Sequence, residues 1–227
     1  GTSVEELVAP TLVSAHRGTE GVFHGAGRED VDALMLGTGR PFVLEVKAPR
    51  RRDLDLAELE AEINDLREGR VEVEGLRYAT YEMVERVKEL DASKTYRMDV
   101  TFDEPVSESA LAAAIERLDG ATVQQRTPER VSHRRADLVR ERTVRSMSGE
   151  LREPDRAELT VHGEGGLYVK ELVSGDGGRT EPSLAGLLGV GAAVTHLDVV
   201  AVEGEEEAFD HPDYLRDADG GRSDAPA

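Results

Sequence analysis

The stretch that organises this chain is residues 23–32, FHGAGREDVD, in which two glycines lead into an Arg-x-Asp triplet. Gly25 and Gly27 favour a tight loop, because glycine adopts positive φ angles without steric cost. Residues 31–36, which follow, have the composition of a strand. A carboxylate that a loop holds at the mouth of a strand is well placed for chemistry, so Asp30 is the first candidate for a catalytic residue.

Working outward, the sequence predicts a helix before this stretch and a hairpin after it. Ser3 begins a capping box, which predicts a helix that ends near residues 13–17. The glycine-rich residues 18–27 predict a loop. Residues 31–36 and 41–48 predict two strands that pair as a hairpin.

The rest of the chain mixes hairpins with helical crossovers, which favours an α+β fold. We expect a mixed, mostly antiparallel sheet with flanking helices and a central cleft between two lobes, the second beginning at residues 107–118. Residues 204–227 are acidic and rich in glycine, which predicts a disordered tail. The predicted helices are 56–66, 80–90, 107–118, 167–173 and 182–188, and the predicted strands are 70–73, 94–102, 121–127, 137–151, 156–162 and 193–202.

The 227-residue chain is strongly acidic, with a formal net charge of −19 and only four lysines among its 28 basic residues. Acid-rich, lysine-poor surfaces are typical of proteins that work in concentrated salt, so we expect a halophilic protein. The chain has no cysteine, which excludes disulfides and thiolate metal sites. It shows no signal peptide and no run long enough for a membrane span, so the expected location is the cytoplasm.

Two segments carry the opposite charge. Residues 40–52 and 124–145 each have a net charge of about +4, most of it from arginine. Arginine suits phosphates and base edges, because its planar guanidinium donates two parallel hydrogen bonds. We therefore expect contact with RNA or DNA, and the alternative is that the arginines pair with local acids. The candidates for RNA contact are Arg50, Arg51, Arg52, Arg126, Arg134 and Arg135.

Three segments are candidates to converge on one site. They are residues 28–30 (RED), 94–96 (KTY) and 166–172 (GLYVKEL). Alone, an Arg-x-Asp triplet is usually a surface ion pair, and a tyrosine on an alternating strand usually belongs to the core. The occurrence of all three in this order strongly indicates a catalytic site.

In these segments the sequence resembles the pseudouridine synthases and, more narrowly, the archaeal PsuX-type tRNA synthases. The resemblance is carried by residues 23–32, 35–42 (MLGTGRPF), 94–96 and 168–183, the last containing YVKEL, GD, GRT and PS. It implies a catalytic domain at residues 1–203 that converts uridine to pseudouridine in tRNA, at positions 54 and 55 of the T-loop. Members of this family carry a further N-terminal RNA-binding domain with a cysteine-rich metal site, which we expect to be absent from this chain.

By this resemblance Asp30 is the nucleophilic aspartate. Asp32 competes for the role, but the Arg-x-Asp spacing selects Asp30. The C1′–N1 bond of uridine must be cleaved before the uracil is rejoined through C5, and the carboxylate has three open routes: attack at C1′, attack at C6, or a glycal route. The target base must also be flipped out of its stack. Arg28 is expected to fill the vacated space or bind a phosphate, with a salt bridge to Glu29 or another neighbour as the alternative.

The resemblance also implies the other site residues. Tyr96 matches a tyrosine that stacks on the uracil and whose hydroxyl could remove the C5 proton. Lys170 matches a basic residue that pairs with the nucleophile and keeps it ionised, and Tyr168 matches a position that contacts substrate. Leu172 is expected to pack beneath Tyr96, with Lys94 in a supporting position. No metal, organic cofactor or obligatory protein partner is implied, and the expected partner is tRNA.

The sequence leaves two other functions open. Asp30 followed by Glu45-Val46-Lys47 imitates the Asp…Glu-x-Lys pattern of Mg²⁺-dependent nucleases, in which carboxylates bind the metal and the lysine assists the attacking water. This pattern is short and leaves residues 94–96 unexplained. The second alternative is a catalytically silent domain that binds RNA through its arginines alone. The six histidines are scattered and indicate no zinc site.

Overall fold

The computed structural model describes residues 2–27, 33–90, 92–203 and 215–216. The described residues form two compact units, the first from 2–27, 41–90 and 215–216 and the second from 33–40 and 92–203. Their helices are α1 (Val4–Ala15), α2 (Leu56–Leu66), α3 (Glu82–Glu89), α4 (Glu108–Leu118), α5 (Val169–Ser174) and α6 (Leu184–Leu188). Their strands are β1 (Glu20–Gly25), β2 (Leu34–Met35), β3 (Phe42–Lys47), β4 (Ser93–Phe102), β5 (Thr122–Arg126), β6 (Val139–Glu153), β7 (Arg156–Gly163), β8 (Thr180–Glu181) and β9 (Ala192–Glu203).

In the first unit, a two-stranded sheet packs with helices around its own apolar cluster. β1 pairs antiparallel with β3, from Glu20 opposite Lys47 to Gly25 opposite Phe42. Helices α1 and α2 each have an apolar stripe at helical spacing, and they bury these stripes against each other. The buried residues of the cluster are Val8, Leu12, Leu59, Ile63 and Val73.

The prediction of a loop at residues 18–27 is wrong, because this segment contains β1. Gly21 lies where the strand packs against α1, and a Cβ atom there would lie 3.0 Å from Val13 and 3.3 Å from Ala9. In a strand, glycine often marks such a close approach. The residue that indicated a loop in the sequence is therefore a packing residue of a strand.

The predicted hairpin of residues 31–36 and 41–48 is also wrong. β3 pairs with β1 in the first unit, whereas β2 runs parallel to β9 in the second. Leu34 lies opposite Asp198, and Met35 lies opposite Val199. Two segments that are neighbours in sequence thus belong to different sheets, which local turn signals do not reveal.

Residues 70–73, predicted as a strand, pair with no strand among the described residues. The backbone of Val73 is bonded instead to the side-chain amide of Asn64, which donates to the Val73 carbonyl and accepts from its N–H, both at 2.8 Å. Val73 itself is buried. Val73 therefore belongs to the core, but the side chain of Asn64 takes the place of the expected partner strand.

The second unit is built on a seven-stranded sheet in the order β2-β9-β4-β7-β6-β5-β8. β2 and β9 are parallel, and all other neighbouring strands are antiparallel. The predicted α+β fold, with a mixed, mostly antiparallel sheet and flanking helices, is confirmed. Helix α4 lies inside this unit, so the prediction that it begins a second half is wrong. The cleft between two lobes stays a prediction.

Helices cover one face of this sheet. Along β4, Tyr96, Met98 and Val100 are buried, whereas Arg97 and Asp99 between them are exposed. Helix α4 contacts β6, helix α5 contacts β9, and both helices contact α6. Because side chains of a strand alternate between the two faces, Tyr96 lies on the helix-covered face.

Of the predicted tail, residues 204–227, the structure describes Leu215 and Arg216. Leu215 forms an isolated bridge with Ala79, and the N–H of Arg216 donates to the Tyr78 carbonyl at 3.0 Å. The predicted disorder of the remaining tail lies outside the described residues. No helix among the described residues combines the length and the apolar character needed to cross a membrane.

Candidate active site

Residues 28–32, which include Arg28, Asp30 and Asp32, lie outside the described residues. Strand β2, which follows them, is described. Its Met35 lies opposite Val199 of β9, and Val199 lies opposite Tyr96 of β4. Neighbouring strands are about 4.8 Å apart, so Met35 and Tyr96 are separated by roughly 10 Å in one row of the sheet. The chain that follows the predicted nucleophile therefore enters the sheet two strands from the predicted stacking tyrosine.

Tyr96 lies at a β-bulge. Thr95 is opposite Ala201 whereas Tyr96 is opposite Val199, so Val200 is the extra residue on β9. Bulges bend a strand and change the direction of nearby side chains, and they are frequent beside active sites. Only 5% of the surface of Tyr96 is exposed, so packing fixes the position of this ring.

Gly37 holds β2 against this bulge. The N–H of Leu36 donates to the Val199 carbonyl at 2.7 Å. The next residue, Gly37, has a φ of 70°, and a Cβ atom there would lie 1.9 Å from the Val200 carbonyl oxygen. A side chain at this position would meet both a steric clash and an unfavourable backbone conformation, so the close approach requires glycine.

Tyr168 immediately precedes α5, and its backbone N–H and carbonyl are both hydrogen-bonded to one buried side chain. Its N–H donates to Oε1 of Gln125 at 2.9 Å, and its carbonyl accepts from Nε2 of Gln125, also at 2.9 Å. Gln125 is 2% exposed, and the same Nε2 lies 3.2 Å from the hydroxyl of Thr180. A buried amide whose donor and acceptor are both used fixes the residue that it binds. The start of α5 is therefore anchored to β5.

The other predicted site residues lie on α5 and β4. Lys170 is half-buried in the first turn of α5, and Leu172 is fully buried. Lys94 is half-buried at the beginning of β4. Since α5 contacts β9, and β9 pairs with β4, helix α5 lies on the face of Tyr96 and against the neighbouring strand. The predicted contact between Leu172 and Tyr96 stays a prediction.

In the second unit, two of the three arginines predicted to contact RNA are engaged within the protein. Arg126 donates to Asp137, with Nε 2.8 Å from Oδ1, and this hydrogen bond lowers the pKa of Asp137. Arg135 donates to the Tyr168 hydroxyl at 3.0 Å. Arg134 is exposed. Pairing with a local acid therefore describes Arg126, and RNA contact by all three stays a prediction.

In the first unit, Arg50, Arg51 and Arg52 are exposed on the loop after β3. The N–H groups of Arg50 and Arg51 donate to the His16 carbonyl at 3.0 and 3.1 Å. Arg51 also pairs with Asp53 at 3.3 Å. The backbone of this loop is thus anchored while its guanidinium groups are exposed, as contact with phosphates requires.

Glu45 and Lys47, the two described members of the nuclease pattern, lie on β3 and hydrogen-bond to each other. This bond lowers the pKa of Glu45 and raises the pKa of Lys47. His24 lies 3.5 Å from Glu45. Within the described ranges, no group of three or more His, Asp and Glu side chains is arranged to hold a metal ion. Glu45 and Lys47 form an ion pair of the kind expected for outward-facing strand residues.

Sequence reasoning missed Gln125, Glu171 and Arg179. Gln125 belongs to the predicted strand 121–127, and nothing in its local pattern distinguishes a buried glutamine from an exposed one. Glu171 and Arg179 lie in the segment 168–183 that carries the family resemblance. Their place in this segment was the one indication in the sequence that they belong to the site. In the structure, Glu171 is 4% exposed and binds an arginine, which its local sequence does not predict.

Comparison with known proteins supports the resemblance. Residues 1–203 match the family model described as “Pus10, C-terminal”. A relative from Halorubrum lacusprofundi, named tRNA pseudouridine synthase Pus10, is 63% identical over 215 residues, covering 95% of this chain and 50% of the relative. A relative of the same name from Methanothrix thermoacetophila is 53% identical, covering 91% of this chain and 45% of the relative. The chain therefore spans about half the length of the curated relatives it matches.

A solved structure matches the fold. A chain from the structure titled “Crystal Structure of a Cbf5-Nop10-Gar1 Complex” covers 91% of this chain and 48% of its own length, with a TM-score of 0.56 and 20% identity. At this identity the likeness concerns the fold alone. Together with the matched family model, it confirms the predicted pseudouridine synthase fold.

Proposed function

The chain belongs to the Pus10 C-terminal family, and from this premise we propose that it converts uridine to pseudouridine in tRNA. The observation that carries the proposal is the row Met35–Val199–Tyr96, with helix α5 packed on the same face of the sheet. This arrangement supports the convergence of the three predicted site segments. The name of the relatives supports tRNA as the substrate class. Positions 54 and 55 of the T-loop come from the family resemblance.

In the proposed reaction, the C1′–N1 bond of a flipped uridine breaks and a C1′–C5 bond forms after the uracil has rotated. C5 loses a proton and N1 gains one, so the reaction is an isomerisation that neither adds nor removes atoms. Asp30 is the proposed nucleophile, acting at C1′, at C6 or through a glycal. Lys170 is proposed to pair with Asp30 and keep it ionised.

Two tyrosines are proposed to contact the base. Tyr96 stacks on the flipped uracil, and its hydroxyl removes the C5 proton. Tyr168 contacts the substrate from the start of α5, and its anchoring by Gln125 supports this role. Leu172 supplies an apolar floor, and Lys94 supports the strand that carries Tyr96.

The RNA is proposed to contact the two arginine-rich segments. Arg50, Arg51, Arg52 and Arg134 are exposed, and Arg28 is proposed to fill the space vacated by the base or to bind a phosphate. The net charge of −19 opposes RNA binding only at long range. At about 1 M salt the Debye length is about 3 Å, so distant carboxylates scarcely repel the phosphates.

Residues 1–203 are proposed to be the catalytic domain, followed by the acidic tail 204–227. The curated relatives are about twice as long as the matched segment, so the activity in their name is assigned to this chain only as a proposal. The resemblance assigns an N-terminal RNA-binding domain to the full-length family members. A tRNA substrate also implies a location in the cytoplasm.

Pseudouridine formation in EDTA tests the proposed function. The chain is incubated with a tRNA transcript in concentrated KCl, and nucleosides are separated by chromatography. We expect pseudouridine to form as fast with EDTA as without it, because no metal acts in the proposed reaction. The intact length of the transcript is the control. Cleavage that EDTA abolishes, without pseudouridine, would instead support the nuclease pattern of Asp30, Glu45 and Lys47.

Thermal stability is expected to increase with salt. A net charge of −19 destabilises the folded chain through self-repulsion, which salt screens. We expect the Tm to rise steadily between about 0.15 M and 3 M KCl, most steeply at the low end, where the Debye length falls from about 8 Å. The relative from Halorubrum supports this expectation. A Tm that is flat or falls with KCl, measured by circular dichroism, would contradict adaptation to salt.

A further inference from the structure

Residues 127–138, here called the arginine loop, connect β5 to β6 and are linked to residues 168–180, which contain α5. The central link joins Arg130 of the loop to Glu171 of the helix. Nε of Arg130 donates to Oε1 at 2.6 Å, and Nη2 lies 3.3 Å from Oε2. The side chain of Glu171 is 6% exposed, so its charge is buried. A buried carboxylate needs such a partner, because removing one member leaves an uncompensated charge.

The base of the arginine loop is held by Arg179. Its Nη2 donates to the Thr127 carbonyl at 2.7 Å and to Oδ1 of Asp137 at 3.1 Å. Thr127 is fully buried, and its hydroxyl donates to the Ala136 carbonyl at 2.7 Å. One guanidinium therefore fixes the first residue of the loop and a residue near its end.

Further contacts tie the loop to Tyr168 and to the turn after α5. Arg135 donates to the Tyr168 hydroxyl at 3.0 Å, and the guanidinium carbon of Arg130 lies 5.9 Å from the centre of the tyrosine ring. The N–H of Glu129 donates to Asp176 at 3.0 Å. Two of these contacts therefore reach the tyrosine that is proposed to meet the substrate.

We infer that Glu171 and Arg179 are positioning residues that hold the arginine loop against Tyr168 before RNA arrives. The loop and the tyrosine then form one preorganised wall of the substrate site. This inference rests on the proposed function and deepens it. A loop that is already ordered loses less conformational freedom on binding, which benefits affinity for tRNA more than the chemical step. It also assigns Arg135 to a role inside the protein, where the sequence predicted direct RNA contact.

Glu171→Gln tests this inference, because it removes the charge that holds Arg130 and keeps the shape of the side chain. In the chain without RNA, amide hydrogen exchange within residues 127–138 should accelerate at least about tenfold. With tRNA, KM should rise about tenfold while kcat stays within about twofold. Glu158→Gln is the matched control. It removes a carboxylate that lies 2.9 Å from Arg152 elsewhere in the same unit, and it should change neither measurement.

The double variant of Glu171→Gln and Arg130→Gln should raise KM no further than Glu171→Gln alone, since both changes remove the same interaction. Unchanged exchange in the arginine loop, or a fall in kcat at constant KM, would overturn the inference. If Glu171→Gln does not fold, Arg135→Gln serves instead, because Arg135 is exposed. It too should accelerate exchange in the loop and raise KM, and unchanged exchange would overturn the inference.

Failure of the inference and failure of the proposed function give different results. Hydrogen exchange is measured without substrate. It therefore shows if Glu171 holds the arginine loop, even when the chain is inactive. A wild-type chain that forms no pseudouridine would refute the proposed function and leave the exchange result intact. A wild-type chain that forms pseudouridine, with loop exchange unaffected by Glu171→Gln, would refute the inference alone.

Discussion

Asp30→Ala is expected to lower pseudouridine formation at least about a thousandfold, because the proposed reaction cannot start without the carboxylate. Binding of tRNA should stay within about twofold of the wild type, since phosphate contacts supply most of the affinity for nucleic acids. Formation of pseudouridine is measured in single-turnover reactions, and binding is measured by filter retention. These two measurements also distinguish the proposed enzyme from a catalytically silent RNA-binding domain. If the domain were silent, neither the wild type nor the Asp30→Ala variant would convert uridine.

Asp32→Ala is the matched control for this experiment. It removes a carboxylate two residues along the same segment, so it has a similar effect on the charge. We expect it to keep conversion within about tenfold of the wild type. If Asp32→Ala abolishes conversion and Asp30→Ala does not, the nucleophile has been assigned to the wrong aspartate. If both retain full activity, the proposed mechanism is wrong.

Gly37→Ala should be strongly destabilising. Its Cβ would lie 1.9 Å from the Val200 carbonyl oxygen, and its φ of 70° is unfavourable for alanine. Backbone strain of this kind costs about 1–3 kcal/mol, and overpacking adds a similar amount. We therefore expect the free energy of unfolding to fall by about 3 kcal/mol or more, and the Tm to fall by roughly 10 °C.

Gly39→Ala separates the two causes of this loss. Gly39 has a φ of 69°, close to that of Gly37, but no atom of the described residues lies within 4 Å of the place its Cβ would take. Its substitution should therefore cost about 1 kcal/mol, from backbone strain alone. Equal losses in the two variants, in melting curves at one KCl concentration, would contradict the close approach of β2 to the bulge. The Gly37→Ala variant should also lose more activity than its unfolded fraction accounts for, because the bulge positions the ring of Tyr96.

Elements with strong local signals could be predicted from the sequence. Helix α2 begins after Asp55, as its capping residue predicts, and ends at the predicted Leu66. The capping box of Ser3 and Glu6 forms as expected. The long strands β6 and β7 correspond to the predicted strands 137–151 and 156–162, and they pair antiparallel because their alternation and short connection leave little choice of partner. In each case the information lies within a few residues of the element.

Partners that are distant in sequence could not be predicted. β2 pairs with β9 across more than 160 residues, and a run as short as Leu34–Met35 carries no mark of its neighbour. The glycines that indicated loops serve close packing at Gly21 and Gly37. The site residues were predicted by family resemblance, whereas the ion pair between Arg130 and the buried Glu171 depends on the tertiary fold. A charge run in sequence does not show which of its arginines bind acids and which stay exposed.

Mapping pseudouridine at single-nucleotide resolution tests the central claim most directly. A T-loop tRNA transcript is incubated with this chain in concentrated KCl, with the full-length Halorubrum relative as the positive control. We predict that the chain forms pseudouridine at positions 54 and 55, and that the Asp30→Ala variant forms none. An unmodified transcript, in a reaction where the relative is active, would contradict the account.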